Sequence, residues 1–171
     1  MQLVHQNHVK DSFVCTIDRF HDERGFFQEI YSFAKEKYYP FECKQINVSS
    51  SKRNTIRGLH VVPFAKMCAC VRGSLFDIVA DVRRDSPTYL KWFGTWLTEE
   101  NRNQMYIPPG CAHGFFAAED DTLLLYSQSA TYSPGVEQEV NWADPSLGIA
   151  WPLAEKYIIS DKDSQAPNLV L

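Results

Sequence analysis

No apolar run in this chain approaches the ~20 residues that a membrane-crossing helix needs. No basic start followed by an apolar stretch marks a signal peptide. The chain is therefore read as soluble and cytoplasmic, with no membrane partner. Nucleotide cradles of the Gly-x-Gly-x-x-Gly or Gly-x-x-x-x-Gly-Lys kind are missing, as is the Gly-x-Ser-x-Gly turn of serine hydrolases. Positive charge is also short. Seventeen Lys and Arg stand against 21 Asp and Glu, a net charge of -4. That balance excludes a general nucleic-acid binder, which needs a basic face. It leaves room for a small anionic ligand held by a few arginines. The five cysteines are odd in number and form no Cys-x-x-Cys pair. They read as buried small hydrophobes in a reducing compartment.

What remains is a chain of 171 residues, 44% apolar and 13% aromatic, enough for one domain spanning residues 1–171 with a sizeable core. No repeat, low-complexity segment or linker divides it. Turn signals recur at short intervals, as at Asp22-Glu-Arg-Gly25, Arg72-Gly-Ser74, Pro108-Pro-Gly110 and Ser133-Pro-Gly135. The runs between them are rich in Val, Ile, Phe, Tyr, Trp and Thr. This spacing predicts an all-β sandwich or barrel.

The clearest strand covers residues 74–83. Phe76, Ile78, Ala80 and Val82 form an apolar face, while Leu75, Asp77, Val79, Asp81 and Arg83 form a charged one. The charged face is expected to look into a cavity or solvent. Further strands are expected over residues 91–97, 104–107 and 122–128. A short helix is expected over residues 32–39, and a brief turn over residues 98–101 with Thr98 as its cap.

Among these strands lie groups suited to proton transfer. His60 follows Arg57-Gly58, and Gly58 permits a bulge or a close backbone approach. A histidine titrates near neutrality and suits general-base work. His113 sits in Pro108-Pro-Gly-Cys-Ala-His113-Gly, a turn tightly constrained by its prolines and glycines. Tyr126 and Tyr132 offer phenols that could deliver a proton. Lys66 is a lone cation in an apolar strand and requires a partner or a task; it could steady an enolate oxygen. Arg24 and Arg57 could pair with phosphate oxygens. Metal-binding barrels use a clustered His-x-His with a Glu and a distant His. Only the terminal His5 and His8 come near such spacing, so no metal is expected.

Taken together and in order, these segments resemble the dTDP-4-dehydrorhamnose 3,5-epimerase family. The resemblance runs over nearly the whole chain. It is carried by Asp22-Glu-Arg-Gly-Phe-Phe-Gln-Glu29, Gln45-Ile-Asn-Val-Ser-Ser-Ser51, Arg57-Gly-Leu-His60, Asp77-Ile-Val-Ala-Asp-Val-Arg83, Ile107-Pro-Pro-Gly-Cys-Ala-His-Gly-Phe115, Tyr132-Ser-Pro-Gly-Val-Glu137 and Ser160-Asp-Lys-Asp163. It implies a cupin-like jelly roll with a few short helices, a homodimer that exchanges N-terminal strands, and no metal or organic cofactor. The implied substrate is a nucleotide-diphosphate sugar carrying a 4-keto group, inverted at C3 and/or C5 through an enolate. By position, His60 resembles the catalytic base, Asp163 its carboxylate partner, Tyr126 the acid on the opposite face and Lys66 the enolate support. Tyr132 resembles an aromatic position that tunes which carbons are inverted. Arg24, Gln45, Asn47 and Arg57 resemble binders of the nucleotide and sugar, with Arg24 reaching across the dimer. His113, Glu29 and Glu137 resemble further ligand contacts.

The resemblance breaks after His60. Val62 stands where glutamine is usual, only five residues separate His60 from Lys66, and the following Met-Cys-Ala-Cys run lacks the usual arginine. The loop over the ligand is expected to differ. Three alternatives follow: an epimerase of a GDP-linked 4-keto-heptose in a capsule pathway, a 3,4-ketoisomerase on a similar barrel, and a non-catalytic sugar-binding barrel.

Overall fold

The computed structural model describes residues 2–35 and 38–170, with the side chains of residues 2–6 left aside. In chain order its strands are β1 (Gln2–Gln6), β2 (Phe13–Thr16), β3 (Arg19–Asp22), β4 (Gly25–Gln28), β5 (Gln45–Ser51), β6 (Ile56–Val61), β7 (Lys66–Arg72), β8 (Ser74–Ala80), β9 (Trp92–Thr98), β10 (Asn103–Ile107), β11 (Ala112–Ala117), β12 (Thr122–Gln128) and β13 (Gln138–Glu139). One short helix, α1 (Asp161–Ser164), follows near the end.

Two antiparallel sheets face each other. One runs β1-β2-β10-β7-β12-β5 and the other β13-β6-β11-β8-β9; β3 and β4 form a separate hairpin. The main core lies between the sheets. Val14, Cys68, Cys70, Met105 and Leu124 come from the first, and Leu75, Val79, Leu97, Phe115 and Ala117 from the second. This is the all-β sandwich that the strand spacing predicts, and the jelly roll that the family resemblance implies.

The outer faces are covered too. Ile78, Ala80 and Leu59 pack beneath Val140, Leu147, Ile149 and Trp151 of the C-terminal segment. Met67 and Tyr106 pack against Tyr31, Tyr39 and Phe41. That double coverage explains β8. Its apolar face meets the C-terminal segment, while Leu75, Asp77 and Val79 point between the sheets, so both faces are buried. The strand stops at Ala80 rather than Arg83. Asp81 turns inward there and accepts bonds from Arg83 Nε at 2.9 Å and from the Ser86 and Thr88 hydroxyls, each at 2.5 Å.

The helix expected over residues 32–39 does not form among the described residues, of which Glu36 and Lys37 are not part. Isolated turns replace it, with Lys35 N–H donating to Ser32 O and Tyr38 N–H to Lys35 O. The physical reason is tertiary. Tyr39 is fully buried, and its hydroxyl lies 2.7 Å from Ile30 O and 3.1 Å from Gln104 Oε1. The turn at Thr98 forms as expected: Asn101 N–H donates to Thr98 Oγ1, and Thr98 N–H to Asn101 Oδ1, both at 3.0 Å.

Gly58 performs the close approach expected of it. Its φ is +117°, and a Cβ there would lie 2.7 Å from His113 O and 2.8 Å from Gly114 Cα. Only glycine allows β6 and β11 to meet at this spacing. The consequence is a register in which His60 stands opposite His113.

Candidate active site

The site is a cavity of 380 Å³ between the sheets. β5 supplies Gln45, Asn47 and Ser49; β6 supplies Arg57 and His60; β7 supplies Lys66; β11 supplies His113 and Phe115; β12 supplies Leu124, Tyr126 and Gln128. Val62, Phe64, Tyr132 and Glu137 complete the lining. Alternation sets this pattern: in β5 the odd positions face the cavity, while Ile46 and Val48 face outward.

His60 Nε2 lies 2.8 Å from Asp163 Oδ1. The two residues are 103 positions apart, and α1 brings them together. Ser160 caps this helix, its hydroxyl accepting from Asp163 N–H at 3.1 Å. Asp163 Oδ2 accepts the Gly58 N–H at 3.1 Å. Burial works to raise the Asp163 pKa, but the His60 and Gly58 bonds outweigh it and hold the carboxyl below its usual value. Asp163 is therefore an anion, and it fixes His60 with its proton on Nε2. Nδ1 is left as the basic nitrogen, with Glu137 Oε2 at 3.7 Å.

His113 forms a second pair. Its Nε2 lies 2.9 Å from the fully buried Asp77 Oδ1 and 3.6 Å from Cys68 Sγ. Burial lowers the His113 pKa, and Asp77 only partly opposes that shift, so the imidazole is neutral. Lys66 is buried beside it and makes no ion pair among the described residues. Desolvation lowers its pKa, countered by Cys68, Glu137 and Asp77. Burial raises the Tyr126 pKa, so its phenol keeps its proton at neutral pH.

Of the residues singled out from sequence, ten gather here: His60, Asp163, Tyr126, Lys66, Tyr132, Gln45, Asn47, Arg57, His113 and Glu137. A hydrogen-bonded chain orders the polar wall: Tyr132 N–H donates to Gln45 Oε1, Gln45 Nε2 to Asn47 Oδ1, and Asn47 Nδ2 to Gln128 Oε1. Arg57 is moored on β5 through Ser51 Oγ and Ser50 O. Two expected ligand residues lie outside the cavity of their own chain. Arg24 is exposed on the β3–β4 hairpin and pairs with Asp22 at 2.6 Å; Glu29 pairs with Lys35 at 2.6 Å.

Sequence reasoning missed others. Lys162 bridges Glu137 at 2.7 Å and Glu139 at 2.6 Å, fixing the carboxylate beside His60. Cys68 and Asp77 stand behind His113. For Asp77 the signal was present, as a carboxylate between Leu75 and Val79 on the face expected to look into a cavity or solvent. For Lys162, a surface lysine in sequence, there was none.

A histidine–carboxylate dyad, a protonated phenol and a buried lysine around one cavity suit an isomerase that moves protons beside a carbonyl. The sequence pattern of the dTDP-4-dehydrorhamnose 3,5-epimerase family matches residues 6–170. The dTDP-4-dehydrorhamnose 3,5-epimerase of Sinorhizobium fredii is 39% identical over 161 residues, covering 88% of this chain and 81% of its own. A Legionella pneumophila dTDP-6-deoxy-D-glucose-3,5-epimerase, solved with dTDP-4-keto-L-rhamnose, superposes with a TM-score of 0.90 at 32% identity, covering 95% of this chain and 89% of its own. A 3'-monoepimerase from Streptomyces bikiniensis, solved with dTDP-quinovose, superposes with a TM-score of 0.89 at 32% identity, covering 96% and 87%. The chain belongs to the dTDP-4-dehydrorhamnose 3,5-epimerase family and is an epimerase. These relatives favour that activity over a ketoisomerase, a heptose epimerase or a sugar-binding barrel.

Proposed function

We propose that this epimerase inverts C3 and C5 of a dTDP-linked 4-keto-6-deoxy sugar, with His60 as base and Tyr126 as acid. The observation that carries the reading is the His60–Asp163 dyad sharing one cavity with Tyr126 and Lys66. The substrate's C4 carbonyl acidifies the neighbouring C–H bonds. His60 Nδ1 removes a proton, and the electron pair moves onto the carbonyl oxygen as an enolate. Asp163 stabilises the imidazolium, and Lys66 offsets the oxygen's charge. Tyr126 then returns a proton to the other face; solvent reprotonates the phenolate and takes up the proton held by the His60 imidazolium, which resets both groups. Arg57, Gln45 and Asn47 hold the sugar and nucleotide, His113 and Glu137 orient the sugar, and Tyr132 covers the lip.

The working unit in this reading is a homodimer. Three phenylalanines of the β3–β4 hairpin, Phe20, Phe26 and Phe27, are 63%, 57% and 67% exposed. Ile46 and Val48 on edge strand β5 are exposed as well. Phe20 and Phe27 stand opposite each other across the hairpin, and exposed aromatic surface of this kind fits burial against a second copy. The same hairpin carries Arg24, which would then reach the partner's cavity, and Glu29 lies just beyond it. Five free cysteines fit a reducing cytoplasm; among the described residues no helix is long and apolar enough to cross a membrane.

The test is solvent exchange. Incubation with dTDP-4-keto-6-deoxyglucose in deuterated water is expected to place deuterium at C3 and C5, read by NMR. Deuterium at C3 alone would reduce the activity to a monoepimerase. Deuterium at neither carbon would overturn the reading.

A further inference from the structure

The hydrogen-bonded chain along the polar wall does not stop at Gln128. Tyr132 N–H donates to Gln45 Oε1 at 2.8 Å, Gln45 Nε2 to Asn47 Oδ1 at 2.8 Å, and Asn47 Nδ2 to Gln128 Oε1 at 3.4 Å, the longest link. Gln128 Nε2 then donates to Ala130 O at 2.9 Å. The chain leaves the backbone at Tyr132 and returns to it two residues earlier. Its ends fix its direction. A backbone N–H only donates and a carbonyl only accepts, so each of the three amides has one orientation that satisfies both neighbours. Gln128 is where the chain turns back. It stands on β12 between Gln45 of β5 and Lys66 of β7, and only 3% of it is exposed. A polar side chain buried that deeply requires partners; Asn47 and Ala130 supply them.

The segment held by this chain has little else to hold it. Ser129 is tied to the connection before β7, through two bonds of 3.0 Å with Ala65. Beyond it, among the described residues, the Ala130 and Tyr132 bonds are the hydrogen bonds that tie residues 130–135 to the strands. The other bond there, Val136 N–H to Ser133 O, closes a turn within the loop itself. Residues 131–135 are exposed, and Tyr132 both lines the cavity and meets solvent. We infer that Gln128 is a positioning residue, which holds Tyr132 at the cavity mouth and sets the orientation in which Gln45 and Asn47 meet the ligand. Each of those two amides keeps one N–H and one lone pair uncommitted, the pairing that a sugar hydroxyl or a base edge takes. Gln128 moves no proton in the reaction; it acts through its neighbours. Its effect on the ligand rests on the nucleotide-sugar reading of the cavity, whereas its hold on Tyr132 does not.

Gln128→Met keeps the length of the side chain and removes both bonds. In the ligand-free protein the Tyr132 amide, followed by NMR hydrogen exchange, is expected to exchange roughly five- to tenfold faster, the worth of about one hydrogen bond. KM for the 4-keto sugar is expected to rise by a similar factor while kcat changes little. A side chain that merely fills space would move neither readout, because methionine fills the same space. If that variant does not fold, Gln128→Thr, a strand former too short to reach either partner, carries the same expectations. Unchanged exchange at Tyr132 would overturn the proposal, as would an unchanged KM on a 4-keto sugar that the parent enzyme epimerises. If the parent epimerises none, the nucleotide-sugar reading fails, and the amide exchange still decides whether Gln128 holds Tyr132.

Discussion

His60 illustrates how one side chain acquires a direction. An imidazole has two nitrogens of similar basicity, and the neighbour of one assigns the task of the other. Asp163 takes Nε2, so Nδ1 is left as the nitrogen that the proposed mechanism uses. Replacing Asp163 with Asn keeps the shape but favours the wrong tautomer. Deuterium exchange into the 4-keto sugar is expected to fall by about three to four orders of magnitude, while dTDP affinity measured by calorimetry changes little. Tyr126→Phe tests the other face. The base can still remove and return a proton, so deuterium enters with retention, but inverted product is expected to fall by roughly 10²–10⁴-fold. Equal loss of both signals would remove Tyr126 from the acid role. Lys66 stands out in the sequence because a charged group in an apolar strand requires a reason. Lys162 did not, because nothing in a charged C-terminal segment marks which lysine will meet Glu137.

At the scale of elements, the dyad depends on two small features. One is the four-residue helix α1 with its Ser160 cap. Ser160→Ala is expected to cost about 1 kcal/mol in denaturant unfolding and to lower exchange further than that loss explains, since the cap holds Asp163 in place. The other is Gly58, where an added Cβ meets the backbone of β11 at 2.7 Å. Gly58→Ala is expected to destabilise more than the cap change, because no flexible side chain can yield. A third element, the turn after β8, is tied by Asp81. Its burial opposes ionisation, but bonds from Arg83, Ser86 and Thr88 win and lower its pKa to about 2. A depressed carboxylate stabilises the fold above its unfolded value and loses that contribution as pH falls through the folded one. Acid titration followed by circular dichroism is therefore expected to show lost stability between the model-peptide value of 3.8 and about 2. Asp81→Asn should remove that contribution, roughly 2 kcal/mol, and flatten the slope.

For the whole molecule the open quantity is the partner. If Arg24 serves the neighbouring cavity, chains carrying Arg24→Ala and chains carrying His60→Asn are each inactive alone. Mixed and reassociated, they are expected to recover about a quarter of wild-type exchange, because half of random dimers hold one intact site of two. Failure to recover would place Arg24 in its own chain's site or in none. Phe27→Asp is expected to shift the sedimentation coefficient toward a single chain and to reduce exchange with it.

The sequence by itself determined the strand-rich class, the alternation of β8, the turn at Thr98, and the residue types needed for proton transfer in motifs that resemble one family. These are local properties, set by side-chain period and turn chemistry. Whether His60 touches Asp163 was decided only by the tertiary structure, because sheet packing and α1 must first bring residues 103 positions apart together. The lost helix near Tyr39 has the same cause, since burial of one tyrosine against Gln104 outweighs local helix preference. So does the cluster of Cys68, Asp77 and His113: no spacing in the chain announces it, and it exists only where two sheets close on each other.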